Sequence, residues 1–378
     1  MPPALLPSSR RLVSASLLVL LTACGAGSGT IRIGLSGPFT DPVGAPMKLA
    51  AEMAVDEING QGGINGRKIE LVERDDYADP DSAVAAAAEM EQAGVVAVVG
   101  HVFSGPTLAA APVYNKARHP VVELSPSSSS PEVTNAGPYT FRICPSDMAH
   151  GVALARFARS NLKYARGAVL YLNDEYGRGI RQTFVTEFSR LGGVITESDP
   201  YLGSTPDVGP YIDRLAQRGD AQFMLVAGNR PEAAEVLRLA RAKGLKIPVM
   251  GGDGLEGLES SGALADGSYI SAAYMAVIES PRNRKFVEAF GRRYPTAGAP
   301  NQPAAATYDA FYLLADVIRK AGTDRAKIRD RLAVVGNGAP AFEGVTGTIA
   351  FDFNGDVPRQ QVVIGVVRNG RVRPAEGQ

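Results

Sequence analysis

Strand-like and helix-like stretches take turns along most of this chain, and that alternation leaves few architectures open. A short apolar strand at 31–35 is followed by a helix that puts Ala50, Met53, Ala54 and Ile58 on one face and stops at Gly60. A strand at 69–72 comes next, then an Ala-rich helix over 81–92 with Asp79 as its N-cap and Pro80 in its first turn. An apolar strand at 95–99, a helix over 105–117 and a strand at 121–124 continue the series. A second series opens near residue 145, with strands at 168–172, 223–226 and 248–250. Its helices carry Ile180, Phe184, Phe188 and Leu191 on one stripe and Ala233, Val236, Leu237 and Ala240 on another, the latter ending before Gly244. Strands separated by amphipathic helices build parallel sheets covered on both faces. The expected fold class is α/β, with two doubly wound parallel-sheet lobes and no residue-level repeat between them. Residues 275–378 carry a helix over 303–319 and strand-like runs at 347–353 and 361–367. One or two strands cannot bury a core alone, so this part is expected to return to both lobes and cross between them.

The N-terminus constrains location. The apolar run 12–21 behind Arg10 and Arg11 is about ten residues long, which suits a signal h-region and is too short to span a bilayer. Leu21-Thr22-Ala23-Cys24 resembles a bacterial lipobox, in which the cysteine becomes the lipidated first residue. The alternative is an ordinary signal peptide that contains Cys24. On the first reading residues 1–23 are removed, and 24–30 form a lipidated N-terminus and a short Gly/Ser tether to the membrane. Either way the mature chain works outside the cytoplasm, without a ready supply of ATP or NAD, and no cofactor is expected.

Composition narrows the partners. Basic and acidic residues number 39 each, and losing Arg10 and Arg11 leaves the chain close to neutral. No basic patch with interleaved aromatics appears, so nucleic acid is not an expected partner. Cys144 is the only cysteine after Cys24, so no intrachain disulfide can form, and it is expected to be a small buried apolar residue. No metal-ligand spacing stands out, and Asp352-Phe353-Asn354-Gly355-Asp356 is too short for a calcium loop and reads as a turn.

Open parallel sheets bind ligands outside the carboxyl ends of their strands. Ser36 follows the first strand, Ser104 lies just past 95–99, and Ser127 to Ser130 follow 121–124. The equivalent positions in the second series are Tyr176, Asn229 and Asp253. Hydroxyls and free amides at helix starts suit a carboxylate, whereas Asp253 suits an ammonium group. Together they read as a site for a small zwitterion. Each also has a plainer reading: the serines as loop or cap residues, Asn229 as a helix cap, Asp253 as a turn residue, and Tyr176 as packing on its helix.

The stretches GHVFSGPTLAAAPVY (100–114) and SPSSSSPEVT (125–134) resemble the extracytoplasmic solute-binding proteins of branched-chain amino-acid ABC transporters. LSGP (35–38), AVDEINGQGGINGRKIELVERDD (54–76), NDEYGRG (173–179) and GTIAFDFNGD (347–356) extend the similarity from Ile31 to about Val367. The resemblance implies a type I periplasmic-binding fold with three hinge crossings and a ligand that closes the cleft. It divides the chain into lobe 1 (31–144 plus about 275–355), lobe 2 (145–274 plus about 356–370) and a tail (371–378). It implies that Ser104, Ser127 and Ser129 hold an α-carboxylate and part of the amine, that Tyr176 covers the ligand, and that Asp253 pairs with the α-ammonium. Asn229 stands where the family has a second cleft tyrosine. Ala78 and Phe103 stand where some members have a disulfide, which brings Phe103 near the cleft. The implied function is a non-enzymatic, monomeric receptor that delivers a branched-chain or related amino acid to an ABC permease and ATPase. The alternative keeps the fold and binds an amide, urea or aromatic acid, for import or for sensing.

Two enzyme readings compete. Gly252-Asp253-Gly254-Leu255-Glu256-Gly257 matches a dinucleotide fingerprint literally, but it falls late in the chain with no convincing helix behind it. A secreted hydrolase is the more distant alternative. It would rest on a pairing of His101 with Ser104, since the chain has no Gly-x-Ser-x-Gly elbow.

Overall fold

The computed structural model describes Met1, residues 29–203 and residues 207–377. Cys24, the segment before it and most of the tether lie outside the described residues.

The chain first builds β1 (Ile31–Gly37), α1 (Ala45–Gly60), β2 (Ile69–Asp75), α2 (Pro80–Gln92), β3 (Ala97–Val99), α3 (Ser104–Lys116), β4 (Val122–Ser125) and β5 (Thr140–Arg142). These strands form one parallel sheet in the order β2-β1-β3-β4-β5. Alternate residues of each strand face opposite sides, and the two sides have separate cores. Ile31, Ile33 and Leu35 join the buried cluster beneath α1, whereas Val98 joins Ala83, Ala87, Met90 and Tyr114 of α2 and α3. The α2 start is as expected: Asp79 accepts a hydrogen bond from Ser82 N (2.8 Å), and Pro80 takes the first helical position.

The second series comprises α4 (Asp147–Arg156), β6 (Arg166–Leu172), α5 (Glu175–Arg190), β7 (Val194–Tyr201), α6 (Gly209–Arg218), β8 (Met224–Ala227), α7 (Arg230–Ala242), β9 (Val249–Gly251) and β10 (Tyr269–Ala272). Its parallel strands run β7-β6-β8-β9-β10, the same order as in the first lobe. The residues do not repeat, but the topology does. One face packs on α6 and α7 and the other on α4 and α5, where Phe184 and Phe188 stack and both meet Phe223 edge-on.

The C-terminal part supplies α8 (Pro281–Arg293), α9 (Gln302–Ala321), α10 (Arg325–Ala333), the two-stranded β11 (Phe342–Glu343) and β12 (Thr348–Ile349), β13 (Val363–Arg368) and β14 (Arg371–Pro374). Helices α9 and α10 complete the first lobe, with Phe311, Leu314, Ile328 and Leu332 in the same cluster as β1. The chain passes between lobes three times: between Arg142 and Asp147, between Ala272 and Pro281, and between Ile349 and Val363.

The structure corrects the sequence reading in three places. The second sheet is mixed, because β13 runs antiparallel to β10 and β14 antiparallel to β13. Residues 371–374, set apart as a tail, are therefore a paired edge strand, and their alternating arginines keep that edge soluble. Of the strand-like run 347–353 only Thr348 and Ile349 pair as strand, and the run continues along the first lobe with Phe351 N donating to Val335 O (2.9 Å). Phe351 is buried instead, edge-on to Phe141 at 5.2 Å. Cys144 is fully buried, as expected.

Candidate functional site: the cleft between the lobes

In each sheet the strand order reverses between the first and third strands, so helices leave on opposite faces and open a crevice. In lobe 1 the crevice lies beyond β1 and β3, where α3 begins; in lobe 2 it lies beyond β6 and β8, where α5 and α7 begin.

The lobe 1 wall is the start of α3 and the serine loop after β4. Phe103 occupies the α3 N-cap position in extended conformation, and its side chain supplies no cap. The first amides of α3 are thus left without the usual side-chain acceptor. Ser104 Oγ accepts from Ser130 N (3.2 Å), which ties the helix start to the loop. Within the loop, Ser125 donates to His101 O (2.6 Å) and Ser128 to Val102 O (3.1 Å). Behind it lies Arg142, only 1 % exposed, donating to the carbonyls of Ser129 (3.1 Å) and Ser130 (2.8 Å) and to Thr134 Oγ1 (2.6 Å). Its Nε pairs with Asp356 Oδ1 at 2.7 Å. The guanidinium is used up in shaping the loop.

The lobe 2 wall centres on Tyr176 in the first turn of α5, a helix capped by Asp174, which accepts from Gly177 N (2.7 Å). Tyr176 OH donates to Asp253 Oδ1 (2.9 Å) and accepts from Gly254 N (2.8 Å). A side chain at Gly254 would come within 2.6 Å of Gly228 O and 2.9 Å of the Tyr176 ring, so only glycine fits this approach. Burial, reinforced by the charge of Asp253, pushes the Tyr176 phenol well above its ordinary value and keeps it a neutral donor.

The first turn of α4 forms the floor. Asp147 is fully buried; its N–H donates to Ser129 O (2.7 Å), and its carboxyl is pushed well up by burial and then by the charge of Asp253, with the Ser129 hydroxyl pulling the other way. One turn on, His150 is also fully buried, with Nδ1 3.0 Å from Ser271 Oγ and Nε2 3.9 Å from Asp253 Oδ2. Burial lowers its pKa.

The two walls approach closely. A Cβ at Gly105 would lie 3.3 Å from Glu175 Oε2, and one at Gly179 would lie 2.8 Å from Pro131 Cδ. Glu256 of lobe 2 accepts from Gln302 N at the start of α9 in lobe 1, through Oε1 (3.0 Å) and Oε2 (3.1 Å).

Of the residues proposed from sequence, Tyr176 and Asp253 are brought together directly, and the Ser129 carbonyl accepts from Asp147 N, whose carboxyl feels the charge of Asp253. Ser104 stands at the opposite helix start. The Ser127 hydroxyl donates to Gln302 Oε1 (2.9 Å), so it is partly committed. Asn229 is the N-cap residue of α7, yet its side chain makes no capping bond. Phe103 is half-buried and packs against the lobe 1 core. Ser36 differs most: it is fully buried in β1 and donates to Arg74 O (3.1 Å), a sheet role rather than a cleft one. Asp147, His150, Glu256 and Gln302 were missed. The cue for the first two was the Ser146-Asp147 helix start, whose Ser146 caps α4 by accepting from Met148 N (3.2 Å).

The enzyme readings find no support in this geometry. His101 is buried with Nδ1 2.7 Å from Asp76 Oδ2, and Ser104 is bonded to Ser130 instead. The glycine-rich stretch after β9 enters a single short 3-10 turn, Asp253–Leu255, rather than an α-helix. The Asp352 stretch is a turn, with Asn354 N (2.9 Å) and Asp356 N (3.0 Å) donating to Asp352 Oδ1. Cavities of about 250 Å³ and 380 Å³ lie elsewhere, beside Arg329 and Arg282.

The family model described as "Periplasmic binding protein" matches residues 30–371. The chain is 31% identical over 355 residues to the leucine-, isoleucine-, valine-, threonine-, and alanine-binding protein of Pseudomonas aeruginosa, covering 92% of each. Among solved structures it is similar to a leucine-binding protein from Thermotoga maritima, with TM-score 0.83, 28% identity, 92% of this chain and 98% of that one. An ABC transporter substrate-binding protein from Desulfitobacterium hafniense, in complex with Leu, gives TM-score 0.78 and 32% identity over 92% of this chain and 100% of that one.

Proposed function

Because the chain belongs to the periplasmic binding protein family, we propose that it is an extracytoplasmic receptor that binds a small aliphatic amino acid between its lobes and delivers it to an ABC importer. The observation that carries this reading is the Tyr176–Asp253 pair set opposite the uncapped start of α3 and the serine loop. One wall offers amides and hydroxyls to a carboxylate, and the other offers a carboxylate to an ammonium. The relative named for leucine, isoleucine, valine, threonine and alanine supports a modest side-chain pocket, as does Asn229, which leaves the pocket without a second aromatic wall.

Closure follows if both charged ends of the ligand are satisfied only when the lobes meet, since a ligand shifts an equilibrium only by its differential affinity. Hydrogen bonds to charged groups are about twice as strong as neutral ones, and micromolar binding needs only about −8 kcal/mol. Removing Asp253 would leave a buried ammonium unpaired, at a cost of about 3–5 kcal/mol. Calorimetric titration with L-leucine and its aliphatic relatives tests the reading. Asp253→Ala is expected to lose binding, and a variant that binds as well as the parent overturns the amine assignment.

Cys24 lies outside the described residues; its lipobox-like setting supports a lipid anchor that keeps the receptor, as a monomer, beside its permease. Cys24→Ser is expected to release the protein from membrane fractions, and continued attachment refutes the anchor.

A further inference from the structure

The floor of the cleft holds a polar arrangement that the function above does not use. His150 is 0% exposed, and its Nε2 has no hydrogen-bond partner among the described residues. A buried polar atom left in this way costs about 1–3 kcal/mol unless something satisfies it. What satisfies it depends on which ring nitrogen carries the hydrogen. Ser271 Oγ stands 3.4 Å from Gly251 O and 3.0 Å from His150 Nδ1, and when its hydrogen goes to the carbonyl it accepts from Nδ1. In that tautomer, the one taken here, Nε2 is a bare acceptor, and burial holds the ring neutral.

Nε2 faces another acceptor. Asp253 Oδ2 lies 3.9 Å away, while Asp253 Oδ1 already accepts from Tyr176. Two acceptors at 3.9 Å are too far apart to bond each other and repel if nothing intervenes. The spacing does let one nitrogen sit about 2.8 Å from both, with the two directions roughly 90° apart, so that each N–H bends only about ten degrees off its acceptor. Asp147, three residues earlier in α4, is also buried, and its carboxyl oxygens have no hydrogen-bond partner among the described residues. Arg142, whose charge acts on His150, is committed to the serine loop and Asp356.

We propose that His150 Nε2 and Asp253 Oδ2 together form the seat for the ligand's ammonium, so that His150 is a specificity-determining residue selecting ligands with a primary amine. This rests on the amino-acid reading above and deepens it, because it says why the site demands a donor with at least two hydrogens. A carboxylic acid lacking the amine leaves both acceptors facing each other, and an alcohol, with one hydrogen, satisfies only one of them.

The test is calorimetric titration of the parent, His150→Leu and His150→Gln with L-leucine and with 4-methylpentanoate, the same skeleton without the amine. A hydrogen bond to a charged group is worth about tenfold to hundredfold in affinity. His150→Leu is expected to lose that factor for leucine and little for 4-methylpentanoate. His150→Gln, whose amide oxygen can reach the place of Nε2, is expected to recover most of it. Equal losses for both molecules, or leucine binding unchanged in His150→Leu, overturn the seat while leaving the receptor reading intact. A parent that binds no aliphatic amino acid overturns both. Should His150→Leu not fold, the parent suffices. The chain has 3 histidines, and the ¹⁵N resonance of His150 Nε2 is expected to move upfield on leucine addition. A resonance that stays in place refutes the proposal.

Discussion

The Glu256 bridge predicts a pH dependence of ligand binding that one substitution abolishes. In the closed arrangement burial pushes the Glu256 carboxyl up to about 8, with Gln302 N–H pulling it down, Asp253 and Glu259 pushing it up, and Arg230 pulling it down. Where opening the cleft returns the group to water, its carboxyl falls back toward the ordinary value of 4.5. The closed state therefore binds the proton more tightly. Its advantage is complete below the open-state value and is lost as pH rises through the closed-state one. Each pH unit within that window is worth at most about 1.4 kcal/mol. Going from pH 8 to pH 6 favours closure by up to about 2.7 kcal/mol, or about a hundredfold in the closed-to-open ratio. Apparent affinity scales with the fraction of receptor able to close. Titration of L-leucine at pH 6, 7 and 8 is expected to show tighter binding at lower pH for the parent. Glu256→Gln keeps an acceptor opposite Gln302 N but cannot titrate, and its profile is expected to be flatter. Other groups of the cleft contribute equally to both proteins, so the difference isolates Glu256. Parallel profiles for parent and variant would refute the reasoning.

Other parts of the fold make equally direct claims. Asp309 is 2% exposed and accepts from Val345 N, Thr346 N and Thr346 Oγ1, yet burial still raises it to about 6. Its contribution to stability is full below its unfolded value and falls by about 3 kcal/mol as pH rises to 7. Urea unfolding at pH 4 and pH 7 should show that slope, and Asp309→Asn should lack it. Arg142→Leu strands the Asp356 carboxylate and frees the serine loop. Unfolding should come about 3–5 kcal/mol sooner, and leucine affinity should fall with it; a loss of stability without loss of affinity denies Arg142 its role in shaping the loop. Gly167→Ala places a methyl 2.2 Å from the Phe223 ring, which Phe184 and Phe188 meet edge-on. It should destabilise by about 1–3 kcal/mol in thermal unfolding, and a neutral result would mean that the aromatic cluster repacks.

The strand-end rule found Tyr176 and Asp253 because both follow strands that the apolar runs betray. It had nothing to offer for Asp147 and His150, which arrive on a helix that begins directly after a crossing. Nor can spacing reveal that Glu256 meets Gln302, since nothing local to either residue refers to the other lobe. Ser36 shows the converse failure: its position after a strand was right, but the strand runs on to Gly37 and keeps it inside the sheet. Strand β7 escaped because an edge strand is half exposed and breaks its apolar run with Glu197, Asp199 and Pro200. Strand β10 escaped because Ser271 interrupts its four residues and Gly267 and Ser268 precede them, so no continuous apolar run marks it. The matching order of the two sheets is equally invisible in the residues, because topology constrains which strands pair and not which apolar side chains they carry.

That α9 and α10 complete the first lobe governs how the protein comes into being. A ribosome delivers β1 to β5 well before Phe311, Leu314, Ile328 and Leu332 exist. Until those residues emerge, one side of the first sheet has only α1 to cover it, and a half-clad sheet is an invitation to aggregate. Final folding must wait for nearly the entire polypeptide, so truncations in the last fifth should be insoluble rather than merely inactive.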